Sequence, residues 1–184
     1  MEKVRQAYER IQTLHTVARH ELVVAVLEGG HDRRKCHSES EIEMWFKRPK
    51  LRIEYKPLTG SVAEAPLVPQ VIIADGEYEY RLSEGKWAKI KHTVDALNFF
   101  GLFRAVYTSK QEGELFGRPV WVVEGQIGPG LQATWWIDKD LTVGRYELKG
   151  TAKPPFEAGL DAEVCNTIQF QKLEPGFNVP DEKF

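Results

Sequence analysis

The residues of this 184-residue chain best suited to chemistry gather first around His31 and His37, which flank Arg33, Arg34, Lys35 and Cys36. A metal centre would need these ligands aimed at one point, with the thiol deprotonated. Three adjacent cations favour a thiolate but repel a divalent ion, so the segment reads as a solvated polar loop. His15, His20 and His92 are scattered and fit no zinc-ligand spacing. Acid–base catalysis needs carboxylates in a concave, partly desolvated site. Here Asp75, Asp138 and Asp140 stand at turn positions, and Glu41, Glu43 and Glu54 lie on polar faces. There is no Gly-x-Ser-x-Gly elbow, no Walker loop and no dinucleotide fingerprint. Gly128-Pro129-Gly130 is a turn, since no helix follows it to cradle a phosphate. Cys36 and Cys165 could bridge only if the fold brings their Cα atoms within about 7 Å, and two independent thiols are the alternative. The expectation is no catalytic residue, no metal and no cofactor.

The elements that would position a site follow from hydrophobic period. Val4, Tyr8, Ile11 and Leu14 recur at helical spacing, which predicts an amphipathic helix over 2–14. The period then becomes two: Ala18, His20, Leu22, Val24 and Val26 alternate up to Gly29-Gly30. Ile42, Met44 and Phe46 alternate before the break at Pro49, and Leu51, Ile53 and Tyr55 after it. The stretch Pro57 to Pro69 has no period and reads as a flexible loop. Val71 and Ile73 lead into an Asp75-Gly76 hairpin, followed by Tyr78, Tyr80 and Leu82, a turn at Ser83–Lys86, and a strand from Trp87 to Lys91. Thr93 is a plausible N-cap for a second helix reaching Tyr107. Strands return over Val120–Glu124, Leu131–Ile137 and Val143–Lys149; a loop over Gly150–Gly159 precedes a last strand with Val164, Asn166, Ile168 and Phe170. The sum is about ten antiparallel strands and two helices, and a sheet that long curls into a barrel or half-barrel.

Composition narrows the class. Twenty-five Lys and Arg against 27 Asp and Glu leave a net charge of −2, which excludes a dedicated nucleic-acid binder. No run of about 20 apolar residues could span a membrane, and the length fits one domain over 1–184. The N-terminus shows no apolar signal-peptide core, so the expectation is either a cytoplasmic protein or the mature form of an exported one. Aromatics make up 11 % of the chain, and some strands carry large apolar residues on both faces. Trp45 lies opposite Met44 and Phe46, and Trp136 opposite Trp135 and Ile137. One face can be ordinary core; the other needs cover, which in a barrel is often a ligand. Phe99, Phe100, Leu102 and Phe103 are too bulky for one narrow helical stripe, as expected of a lid packed into a sheet's concavity.

Several segments resemble one family. Trp45 through Tyr55, with its Lys47-Arg48-Pro49 turn, is similar to the strand–Pro–strand segment of outer-membrane lipoprotein carriers (the LolA/LolB-like superfamily). Val71–Tyr80 resembles that family's apolar–Asp-Gly–aromatic hairpin, and Trp135-Trp136-Ile137-Asp138 its late Trp–x–Asp segment. Thr167–Phe170 and the tail from Phe177 to Phe184 look like its last strand and terminus. The resemblance implies an incomplete antiparallel barrel closed on one side by helices, with an apolar concavity that binds acyl chains in the periplasm or cell envelope. The fold class expected is therefore a mainly β (α+β) curved half-barrel, with the N-terminal helix and a lid helix on its concave side. The function expected is non-enzymatic carriage or sensing of a lipid or acylated lipoprotein, with an outer-membrane or envelope protein as a further partner. The candidate cavity residues are Met44, Phe46, Ile53, Tyr55, Ile73, Tyr80, Phe99, Phe100, Phe103, Trp135 and Ile137. An envelope stress-sensor-like domain that binds peptide or protein is the second reading, and an enzyme of unrecognised class the third.

Overall fold

Alternating side chains place every second residue of a strand on the same face, and in this chain that pattern builds one sheet of eleven antiparallel strands. The structure, a computed structural model, describes residues 1–28, 31–58, 70–91, 105–152 and 161–184. A short helix, α1 (Glu2–Glu9), precedes β1 (Thr13–Glu28), β2 (His31–Lys47) and β3 (Lys50–Pro57). Then come β4 (Val71–Ala74), β5 (Tyr78–Ser83), β6 (Lys86–Lys91), β7 (Val106–Leu115) and β8 (Arg118–Gly128). The chain ends with β9 (Leu131–Ile137), β10 (Val143–Ala152), β11 (Asp161–Pro175) and a single 3₁₀ turn at Asp181–Lys183. The spatial order is β6-β5-β4-β3-β2-β1-β11-β10-β9-β8-β7. The sheet curves as a half-barrel and does not close. The long strands β1 and β2 form its spine, with β11 returning along the other side of β1.

Turn chemistry sets the short connections. Asp75 accepts the backbone N–H groups of Glu77 and Tyr78 at 2.8 and 2.7 Å, closing the β4–β5 hairpin. Gly76 there has φ +100, and a Cβ would meet the Pro49 ring at 2.9 Å, so only glycine lets this turn sit against the β2–β3 turn. At the β9–β10 turn, Asp138 N–H donates to Thr142 O at 2.8 Å and Leu141 N–H to Asp138 O at 3.0 Å.

Four expectations change. The N-terminal helix stops at Glu9 rather than residue 14. Thr13 and Leu14 join β1 instead, because Leu14 pairs with Phe46 on one side and Pro175 on the other and becomes fully buried. The polar segment 31–37 continues the β1–β2 ladder instead of looping, since backbone pairing does not require an apolar period. The second helix does not reach Tyr107: Val106 and Tyr107 belong to β7, paired with Gln126 and Gly125. Most of that helix, 93–104, lies outside the described residues. The strand β7 had no sequence signal because it is an edge strand whose side chains are mostly solvent-exposed on both faces. Finally, β10 extends to Ala152, into the expected loop.

Candidate functional site

Directly paired residues in an antiparallel ladder share a face, so the registers fix both surfaces of the sheet. The inner face carries Leu51, Ile53 and Tyr55 of β3, then Ile42, Met44 and Phe46 of β2, then Leu14, Thr16 and Ala18 of β1. It continues through Ile168 of β11, Tyr146 of β10, Trp135 and Ile137 of β9, and Val123 of β8. These side chains form one apolar cluster reaching from β4 to β8, with Val4 and Tyr8 of α1 packed into it. Val4 and Tyr8 are the two buried residues of α1. The helix is fixed at the Val143 end, where its Tyr8 hydroxyl accepts the Val143 N–H at 3.0 Å.

Of the cavity residues expected from sequence, Met44, Phe46, Ile53, Tyr55, Trp135 and Ile137 all lie in this inner cluster. Ile73 and Tyr80 do not. Ile53 pairs with Ile72, which puts Ile73 opposite Arg52 on the outer face, and Tyr80 pairs with Ile73. Three apolar residues in a row at 71–73 give no period to choose between faces, and only the ladder register decides. On β5 the apolar phase points outward, while Glu79 and Arg81 face inward as an ion pair. Tyr80 instead donates to Asp75 at 3.4 Å, and the Lys89 ammonium lies 5.5 Å from its ring centroid. Phe99, Phe100 and Phe103 fall outside the described residues.

Sequence reasoning passed over a polar band on the inner face. His20 pairs with Ser40 on one side and Ile168 on the other; Leu22, two residues on, pairs with Ser38 and Asn166. His20, Ser38 and Ser40 are buried. Ser40 Oγ is a buried polar atom with no hydrogen-bond partner. Burial pushes the His20 pKa down, with its side-chain hydrogen bond to Asn166 acting in the opposite direction, so the ring is neutral at pH 7. The Tyr55 ring meets the His20 ring edge-on at 5.6 Å, and burial raises the pKa values of Tyr55 and Tyr146, the latter to about 12. The signal was present in the sequence: His20 and Asn166 sit in phase with the apolar residues of their strands.

The outer aromatics Trp45 and Trp136 are covered by other side chains of the protein itself. Trp45 stacks on His15 at 5.9 Å, with the Lys183 ammonium 4.1 Å from its ring centroid and Phe177 4.9 Å from His15. The tail after β11 thus packs over β1 and β2, with Val179 buried. Arg145 lies 4.8 Å above Trp136. Elsewhere the outer face is a lattice of ion pairs. Ligand atoms of Glu21, His37 and Glu39 come within 4.8 Å of one another. His37 is hydrogen-bonded to Glu21 at 3.1 Å and Arg19 is paired to Glu39, so these groups satisfy each other without an ion. Cys165 is a free thiol. Among the described residues, no helix is long and apolar enough to cross a membrane.

Neither a protein-family model nor a curated protein matches this chain. Among solved structures it is similar to a LolA superfamily protein from Nitrosomonas europaea, at 7 % identity and a TM-score of 0.38, over 100 % of this chain and 96 % of that one. It is also similar to lipovitellin, in a structure titled for its lipid–protein interactions, at 9 % identity and a TM-score of 0.39. That match covers 94 % of this chain and 26 % of lipovitellin's.

Proposed function

We propose that this protein is a non-enzymatic carrier or sensor that holds an acyl chain against the inner face of its half-barrel. The carrying observation is the extent of that face: a continuous apolar lining from β4 to β8, into which α1 contributes only Val4 and Tyr8. Apolar surface of this size suits a hydrocarbon ligand, because burial is worth about 0.8 kcal/mol per CH₂ and needs no bond-making. In this reading Met44, Phe46, Ile53, Tyr55, Trp135 and Ile137 contact the chain, and the lid expected of Phe99, Phe100 and Phe103 lies outside the described residues. The client is a lipid or an acylated lipoprotein, and the working compartment is the cell envelope. Release then follows transfer to a competing acceptor.

Native mass spectrometry of protein purified from a bacterial host tests this. The expected result is an excess mass of one or two acyl lipids that disappears on organic extraction, with the stripped protein taking up a fluorescent fatty acyl probe. A bare polypeptide that binds no acyl probe would refute it.

A further inference from the structure

The sheet ends in two open edges, β6 and β7, and they differ in kind. An edge strand turns unpaired backbone N–H and C=O groups outward, and proteins blunt such edges with lysines. β6 is six residues long and carries Lys86, Lys89 and Lys91 with no acidic residue, so two copies of it repel. β7 is ten residues long and carries both signs, with Lys110, Glu112 and Glu114 all exposed. It leads into the two-residue turn Phe116-Gly117, where Phe116 has φ +52 and is 69 % exposed. Turns with both φ values positive favour Asn-Gly, and a bulky side chain is strained there. At the other end of β7, Val106 is 70 % exposed. The two most exposed large apolar side chains among the described residues thus sit at the two ends of one open edge.

We infer that this edge pairs with its counterpart in a second copy of the chain, through an antiparallel β7–β7 ladder whose two-fold axis passes at Gln111. The inference is independent of the acyl-binding reading. Charge order selects the register. With the axis at Gln111, Lys110 of each copy stands directly opposite Glu112 of the other, and Ser109 opposite Gly113. Lys110 and Glu112 both lie on the inner face, through their pairing with Val123 and Trp121, so the ladder forms two cross-strand ion pairs on one surface. An axis at Lys110 or at Glu112 instead sets that residue against its own copy, and like charges directly opposite are unfavourable. An axis between two residues would oppose an inner-face side chain to an outer-face one. The Lys110 ammonium, 3.7 Å from the Trp121 ring centroid, is held beside the edge in its own copy. Val106 and Phe116 lie five residues from Gln111 on either side, so Phe116 of one copy comes beside Val106 of the other. The bulge between Tyr107 and Ser109 ends the regular ladder before that point, which leaves this contact to side chains alone. The pairing uses up both β7 edges, and the lysines of β6 repel their like, so assembly stops at two.

A contact along one strand edge is small, below about 1,200 Å², so the dimer is concentration-dependent. Sedimentation velocity of the full chain over a range of concentrations should show a reversible monomer–dimer equilibrium. Amide hydrogen exchange along β7 should slow at the dimeric concentration, while exchange along β6 should not change. Lys110→Glu and Glu112→Lys each set like charges opposite one another twice, and each should raise the dimer dissociation constant at least about tenfold with an unchanged far-UV circular dichroism spectrum. Mixed in equal amounts, the two variants should form a heterodimer about as tight as the wild-type dimer, because both opposite pairs are then restored. Phe116→Asn, which suits the turn better, should leave the Tm unchanged or higher yet weaken the dimer about threefold. A monomer at every concentration, growth into open-ended oligomers, or a dimer indifferent to both charge reversals would overturn the inference. So would the absence of rescue on mixing, or a Phe116→Asn dimer of undiminished strength.

Discussion

Replacing Tyr8 with Phe removes one oxygen and leaves the ring, so it probes one of the polar contacts that fasten α1 to the rest of the fold, beside the Arg5 bond to Ala105 O at 2.9 Å. The hydroxyl accepts the Val143 N–H at 3.0 Å in a buried setting, with Tyr8 3 % exposed. Without that acceptor the Val143 amide is stranded away from water, at a cost of about 1–3 kcal/mol at pH 7. The same hydroxyl has the opposite effect in alkali. Burial pushes its pKa from 10 up to about 12, outweighing the Val143 N–H, which pulls the other way. Between those pH values the unfolded chain gives up a proton that the folded chain keeps. Stability contributed by this group is therefore complete below pH 10 and is lost as pH rises toward 12, by roughly 2–3 kcal/mol for two units. Tyr8→Phe has no such proton to lose.

The two effects predict a crossing. Urea unfolding followed by tryptophan fluorescence should show the variant less stable at pH 7, with the gap closing steadily from pH 10 and vanishing or reversing near pH 12. Burial also raises Tyr146 to about 12, but that residue is common to both proteins and cancels in the difference. A gap that stays constant across the alkaline range would refute the burial argument. No loss at pH 7 would refute a stabilising role for that hydrogen bond.

The face assignment predicts a contrast between neighbours: Ile53→Ala, at a fully buried inner position, should cost about 2–5 kcal/mol in urea unfolding. Ile73→Ala, half-buried on the outer face, should cost clearly less; equal losses would mean the β3–β4 register is wrong. On the outer face, His15 sits between Glu43 and Glu174, at 3.0 and 3.1 Å. Burial pulls the Glu43 carboxyl upward, but hydrogen bonding from His15 and the Lys56 charge outweigh it, so its pKa is depressed; Lys172 and then His15 depress that of Glu174. Their stabilisation is present above the unfolded value of 4.5 and is lost as pH falls through the folded values. The Tm should drop more steeply between pH 5 and pH 3 in the wild type than in Glu43→Gln.

How much of this was legible in the sequence depends on whether a residue's surroundings repeat at a fixed period. Where one face is buried and the other wet, as at Ile42–Phe46 and Leu51–Tyr55, alternation alone named both strand and face. It failed at Val71–Ile73, where three consecutive apolar residues carry no phase and only pairing with β3 selects Ile72 for the interior. It failed again at β7, a polar edge strand, and at Leu14, whose helical spacing from Ile11 was overruled by ladder partners on both sides. Trp45 shows a different limit. Its apolar surface did announce a need for cover, but the cover is the chain's own tail through Val179 and Lys183, more than 130 residues away in sequence.

The polar band turns the same reasoning around. A histidine, two serines and an asparagine in phase with apolar neighbours break the binary pattern at one level of three adjacent strands. Such breaks oppose stability unless something answers the buried polar atoms, so a fold retains them where function uses them. On the outer face most polar groups answer one another, His37 with Glu21 and His15 with Glu43 and Glu174, while Arg145 pairs with Glu147 but leaves its buried Nε without a partner. On the inner face His20 and Asn166 share a side-chain hydrogen bond, and the Ser40 hydroxyl is buried without a partner. The sheet thus separates its tasks by surface. Charge and the C-terminal tail stabilise the outer side, and the inner side keeps an apolar lining crossed at its middle by His20, Ser38, Ser40 and Asn166. The acyl-binding reading rests on the extent of that apolar face, because polar groups paired with one another add nothing that a hydrocarbon chain would recognise.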